Sequence, residues 1–253
     1  MTYSQDVIDE VLDLLSAGLS QAEISRRKGM SRFAIRQWGR GKVPTKSRDA
    51  HGAHERASCP LIESTSSPAY SYLLGLYLGD GTISAMRKGV FRLRIFCCDA
   101  YPHLMDLCQE AMEVVMPTNK VGRNQRLGCT DVGSSSKHWP CLFPQYGPGM
   151  KHTRLIALTK WQADVVERYP KDFLRGLIHS DGCRNINRVS NRLGQRYAYP
   201  RYLFTNVSED IKGLFCWACD LLGVKWKVMN HKTISINKRA DVAFLDTFIG
   251  PKT

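Results

Sequence analysis

Two nine-residue stretches of this chain share one frame, and no other feature constrains its fold as strongly. The first reads Leu73-Leu74-Gly75-Leu76-Tyr77-Leu78-Gly79-Asp80-Gly81, the second Leu174-Arg175-Gly176-Leu177-Ile178-His179-Ser180-Asp181-Gly182. Both are Leu-x-Gly-Leu-x-x-small-Asp-Gly. Gly75 and Gly79 fall on one face of a helix, as do Gly176 and Ser180, and small residues at that spacing let two helix backbones approach closely. These four residues are the expected interface. The closing glycine predicts a left-handed turn at each helix end. Just before it, Asp80 and Asp181 stand at the negative pole of the helix dipole, where an exposed carboxylate is disfavoured by roughly 0.3–1 kcal/mol. Packing the helices together adds repulsion between the two acids. That arrangement asks for a bound cation, a divalent metal being the obvious candidate, held between Asp80 and Asp181 with Gly79 and Ser180 beside them. The chemistry it suits is phosphodiester hydrolysis.

The segments after each motif repeat as well. Thr82-Ile83-Ser84 and Val90 to Cys97 read as strands, with Arg92 and Arg94 on one face and Phe91, Leu93 and Ile95 on the other. A helix from about Tyr101 to Met116, strands between Lys120 and Val132, and a helix after Lys137 complete the first half. The second continues with strands from Cys183 to Val189 and Tyr197 to Val207, and a helix from Glu209 to Leu222. Strands Lys225–Met229 and Thr233–Ile236 and a helix after Lys238 end it. Each half thus predicts αββαββα in an α+β domain, with boundaries at 68–160 and 161–253. Lys137 lies 57 residues beyond Asp80 and Lys238 lies 57 beyond Asp181, which nominates both lysines to stabilise charge on a phosphate.

Residues 1–44 form a separate helical pattern. Val7, Ile8, Val11, Leu12 and Leu15 share a helix face, Gly18 ends that helix, and Ser20 with Glu23 reads as a capping box. Gly29 allows a sharp turn before a third helix carrying Ile35 and Trp38. This is the spacing of a helix-turn-helix, with Arg32, Arg36, Gln37 and Arg40 placed to read DNA. Residues 45–67 are polar, small and aperiodic, as a linker is. Thirty-six Lys and Arg against 23 Asp and Glu give a net charge of +13. Such an excess draws polyanions, and no long apolar run or basic amphipathic stretch favours a membrane instead. Nine cysteines at irregular spacing fit reduced thiols inside a cell, in the cytoplasm or another DNA-containing compartment. Cys216 and Cys219 form a C-x-x-C, but on an amphipathic helix with no second ligand pair, which argues against zinc there.

Taken together, the paired motifs resemble the LAGLIDADG homing endonucleases over about residues 68–253. The acid found at the sixth motif position in many members is Leu78 in one copy and His179 in the other. The resemblance implies two pseudosymmetric halves whose saddle-shaped antiparallel sheets straddle double-stranded DNA. It also implies Asp80 and Asp181 as the Mg²⁺-binding catalytic acids, Lys137 and Lys238 at the basic active-site position, and a monomer that reads a non-palindromic target. The expected DNA surface comprises Arg92, Arg94, Lys120, Arg123 and Arg126 in the first half, and Arg184, Asn187, Arg188, Arg196, Arg201, Lys225 and Lys227 in the second. Two other functions share this fold: a WhiA-like transcription regulator without catalysis, and an RNA-splicing maturase, so RNA stays open as a partner. WhiA-like proteins tend to lose the acids, and here both are kept.

Overall fold

The computed structural model describes residues 5–28, 35, 36, 38–41, 59, 61–190 and 194–252. They fall into two compact units, 1–53 and 54–253.

In the first unit, helices α1 (Gln5–Ser16) and α2 (Gln21–Lys28) are separated by Gly18, whose φ of 82° supplies the left-handed residue that ends α1. The Ser20 hydroxyl accepts from the Glu23 amide at 3.2 Å, as a capping residue does. Ile8, Val11, Ile24, Ile35 and Trp38 form one small buried cluster. Arg36 and Arg40 are exposed; Arg32, Gln37 and the expected turn at Gly29 lie outside the described residues.

The second unit is α+β, built from two halves with the same order of elements. After a short helix α3 (Leu61–Ser64), the first half runs α4 (Pro68–Asp80), β1 (Gly81–Ala85), β2 (Phe91–Cys98), α5 (Pro102–Val115), β3 (Val121–Arg126), β4 (Cys129–Ser136) and the single turn α6 (Trp139–Leu142). A connecting helix α7 (Lys160–Arg168) leads to the second half. This comprises α8 (Pro170–Asp181), β5 (Gly182–Ser190), β6 (Arg196–Thr205), α9 (Glu209–Leu221), β7 (Lys227–Val228), β8 (Thr233–Ile236) and α10 (Arg239–Asp246). Both sheets are antiparallel and four-stranded, ordered β1-β2-β4-β3 and β5-β6-β8-β7. The repeat read in the sequence is thus an architectural one. Two elements come out shorter than expected: the strand around Lys225–Met229 holds only two paired residues, and the helix after Lys137 only one turn. Among the described residues no helix is long and apolar enough to cross a membrane.

The motif helices α4 and α8 lie at the centre and touch each other more extensively than any other two elements. α4 is apolar all round, with every residue from Tyr70 to Leu78 buried, as befits a helix covered on all sides. Ser67 caps it through the Tyr70 amide, Pro68 opens it, and Ser71 donates across the seam to the Tyr169 carbonyl at 2.9 Å. A Cβ placed on Gly176 would lie 2.2 Å from the Tyr72 carbonyl, and one on Gly75 2.5 Å from the Phe173 carbonyl. No side chain fits there, so the backbones meet directly.

The closing glycines behave differently from expectation. Gly81 and Gly182 have φ of −88° and −102°, extended rather than left-handed, because each helix passes straight into a strand. They are glycine for space: a Cβ on Gly81 would come within 2.5 Å of the Tyr77 Cα, and one on Gly182 within 2.7 Å of the Ile178 Cα.

Gly176→Ala is expected to cost about 3 kcal/mol or more, because the intruding carbon meets backbone that has nowhere to move. Gly213→Ala, in α9 with open space at its Cβ position, should stabilise by about 0.5–1 kcal/mol. Urea unfolding of the two variants checks both signs; a wild-type midpoint for Gly176→Ala would deny backbone contact at the seam.

Candidate functional site

Both motif helices deliver their acids to the same end of the seam. The Asp181 carboxylate lies against the Gly79 backbone, its Oδ2 3.0 Å from where a Cβ on Gly79 would be, and Ser180 is closer still. Burial, then the charge of Asp181, pushes the Asp80 carboxyl up to about 6; Lys151 and Lys252 pull the other way. Burial also raises Asp181, against a hydrogen bond from Asn206 Nδ2 at 2.6 Å and the charges of the same two lysines. The acids therefore share one half-buried patch in which the ionised pair is disfavoured.

The lysines at that patch are not the ones the sequence nominated. Lys151 donates from Nζ to the carbonyls of Tyr77 at 2.5 Å and Gly79 at 2.6 Å. Lys252 donates to those of Ser180 at 3.2 Å and Gly182 at 2.5 Å. Each ammonium thus caps the C-terminus of one motif helix, where the dipole favours a cation. Burial lowers both lysines, Lys151 to about 8. Lys137 instead lines a separate cavity with Leu61, Met116, Asn119 and His138, and Lys238 is the N-cap of α10. The missed signal was present: Lys151 lies 71 residues beyond Asp80 and Lys252 lies 71 beyond Asp181. Asn206 was also missed. It stands two residues beyond Phe204, the strand partner of Gly182; the matching place in the first half, two beyond Ile95, holds Cys97.

His179 is structural. Buried in the seam, its Nδ1 meets the Tyr72 hydroxyl at 2.9 Å and its Nε2 the Ile249 carbonyl at 2.8 Å. Burial holds it neutral, its pKa down to about 4.

An open cavity of about 700 Å³ adjoins Asp181, lined also by Tyr77, Gly79, Lys151, Arg154 and Asn206 among others. The donor set fits a hard divalent cation: two carboxylates whose ionised forms gain from an added positive charge. The Gly79 and Ser180 carbonyls, expected at the metal, are each taken by a lysine on one side, which leaves one lone pair apiece.

Strand register sorts the arginines. On the sheet face away from the helices stand Arg92, Arg94 and Arg126, with Asn124 and the fully buried Asp131 among them; Arg126 pairs with Asp131 at 2.7 Å. Arg94 also donates to Ser84 at 2.7 Å. In the second sheet the corresponding face carries Asn185, Asn187, Tyr199, Arg201 and Lys227. Four expected members, Arg123, Arg184, Arg188 and Arg196, face the other way, and two of them are tied to acids on helices. Arg123 turns back to Asp106 and Gln109 on α5, and Arg184 to Asp246 on α10 in a two-pronged pair at 2.7 and 2.8 Å. Alternation explains it: Arg123 pairs opposite core residue Val132, and Arg184 opposite core residue Tyr202. Arg188 and Arg196 share the Arg184 side of their strands, near the exposed hairpin end. Lys120 and Lys225 are exposed and outside the strands.

Metal-free protein at pH 7.5 should be stabilised by Asp80→Asn, by about 1–3 kcal/mol after allowance for solvent. The folded carboxyl titrates near 6 and an unfolded one near 3.8. The cost of the ionised form is thus complete above pH 6 and fades as pH falls toward 3.8. Denaturation midpoints in chelator across pH 4–8 test this; a variant less stable than wild type at pH 7.5 would refute the strained acid pair.

No family model matches the chain. The uncharacterized protein MJ0398 of Methanocaldococcus jannaschii is 26% identical over 132 residues, 51% of this chain and 44% of that protein, so the chain matches less than half of that relative's length. Similar solved structures include mesophilic variants of the homing endonuclease I-DmoI (17% identity, TM-score 0.46, 74% of this chain and 98% of that one). They also include I-DmoI in complex with DNA and Ca (17%, 0.46, 74% and 92%) and the LAGLIDADG meganuclease I-AabMI bound to uncleaved DNA (11%, 0.46, 71% and 82%).

Proposed function

We propose that this chain is a site-specific, Mg²⁺-dependent endonuclease of the LAGLIDADG homing type that cuts double-stranded DNA as a monomer. The observation that carries the reading is the meeting of Asp80 and Asp181 at one end of the helix seam, each beside a lysine that caps its helix. Bound Mg²⁺ would neutralise phosphate charge and lower the pKa of a water. The two carboxylates would supply the hard oxygens to hold it, and Asn206 fixes the orientation of Asp181. Lys151 and Lys252 place positive charge where a phosphodiester gains negative charge on the way to cleavage. The outward sheet faces, through Arg92, Arg94, Arg126, Asn187, Arg201 and Lys227, suit contacts to base edges and phosphates. Because the two faces differ in sequence, the target they read is not a palindrome. The first unit serves as a helix-turn-helix that adds DNA contacts through Arg32, Arg36, Gln37 and Arg40. An enzyme of this kind works wherever in the cell its DNA is.

With a target selected from a random duplex library, the protein plus Mg²⁺ should linearise a plasmid carrying that site. Asp80→Asn and Asp181→Asn abolish cleavage and keep binding in Ca²⁺. Lys151→Met and Lys252→Met slow cleavage by about 10²–10³-fold, the typical loss for one charge-stabilising donor, and Lys137→Met and Lys238→Met leave the rate unchanged. Full cleavage by both Asp variants would remove the catalytic assignment.

Removing residues 1–44 should weaken DNA binding and flatten its salt dependence, through lost phosphate contacts. An unchanged salt slope would assign that unit to another partner.

A further inference from the structure

Away from the acid pair, three side chains converge that share no sequence motif. The ligand atoms of Cys59, His138 and Cys141 all lie within 4.8 Å of one another, and Cys59 Sγ is 3.4 Å from His138 Nδ1. Tetrahedral zinc, with bonds of about 2.3 Å to sulfur and about 2.0–2.1 Å to nitrogen, holds its ligand atoms about 3.5–3.8 Å apart. The cluster is at that spacing to within about 1 Å, a shift that side-chain rotation covers.

Local structure explains the convergence. His138 is the N-cap of α6, and the Cys141 amide donates to its carbonyl at 2.9 Å, so this tight turn puts positions three apart on one side. Cys59 comes from the chain just ahead of α3. Its carbonyl accepts the Ile62 amide at 3.1 Å, and α3 packs on α6. Cys59 and Cys141 are both buried. By contrast, Cys216 and Cys219, the pair that looks like a metal motif in the sequence, lie on α9 and belong to no such cluster among the described residues.

We propose that Cys59, His138 and Cys141 bind a thiolate-preferring divalent cation, zinc foremost, at a site separate from Asp80 and Asp181. Two sulfurs and an imidazole select zinc or cobalt and reject magnesium and calcium, which take oxygen. Both thiols lose their protons on binding, so the two thiolates balance the charge of the ion. A water or one further group completes the tetrahedron. The ion ties the chain ahead of α3 to α6 and closes the long loop between residues 59 and 138. Its role is structural.

The full chain, purified under reducing conditions and stripped with chelator, should take up one equivalent of Zn²⁺ that excess Mg²⁺ does not displace. Co²⁺ in its place should give sulfur-to-cobalt charge-transfer absorption and tetrahedral d–d bands. Cys59→Ser and Cys141→Ser should each weaken Zn²⁺ binding by more than the roughly 100-fold that loss of an outer-shell partner costs, and Cys216→Ser should leave it intact. In wild-type protein, which avoids any folding defect of a variant, Zn²⁺ should shield Cys59 and Cys141 from alkylation and none of the other seven cysteines. No uptake of Zn²⁺, shielding of Cys216 and Cys219 instead, or a Cys59–Cys141 disulfide in freshly isolated protein would overturn the site. Metal content and thiol reactivity are read without DNA, so the result stands apart from the nuclease reading.

Discussion

Backbone contact between α4 and α8 at Gly75 and Gly176 governs the rest of the second unit. Because the helices touch without intervening side chains, whatever stands at their C-terminal ends is forced into a common space. The same closeness removes water from that space, so Asp80 and Asp181 keep charges that burial opposes. Hydrophobic cover from Leu73, Leu74, Phe173 and Leu177 holds the seam shut against that repulsion.

The lysines show how the fold tolerates its own strain. A helix C-terminus with unsatisfied carbonyls attracts cations, and an acid nearby attracts them further. Lys151 and Lys252 answer both demands at once. Each arrives from a segment well beyond the sheet of its half, Lys252 at the far C-terminal end. Two ammoniums facing two carboxylates leave the patch close to neutral when all four are charged, yet each group is shifted from its ordinary titration range by burial. A site poised this way responds strongly to any added ion.

Much of this was legible from periodicity. Alternation marked the strands, the 3.6-residue pattern marked the helices, and the doubled small-residue frame marked the seam and its acids. The sequence pattern failed where contact is made across long separations. The two halves are offset by 101 residues, so any residue type repeated at that offset keeps the same distance from its motif acid. Lys137 and Lys238 pass that test as well as Lys151 and Lys252 do. Only the fold decides between them. Arg123 and Arg184 were gathered by charge, when position along an alternating strand should have sorted them to the helix side. The Cys59, His138 and Cys141 cluster joins a residue to two others about eighty positions away, which no local spacing reveals.

Asp80 and Asp181 are the last residues of their helices, and the next residue of each is already paired in a sheet: Gly81 with Ile95, Gly182 with Phe204. No hinge separates acid from strand. One residue inserted between Asp181 and Gly182 would slip β5 by one place, turning Asn185 and Asn187 inward and Arg184 and Arg188 outward. Length variation is therefore barred where helix meets strand and tolerated at the turn around 86–90. A lineage carrying this fold is free to revise what its sheets touch, while the distance from that surface to its acids stays constant.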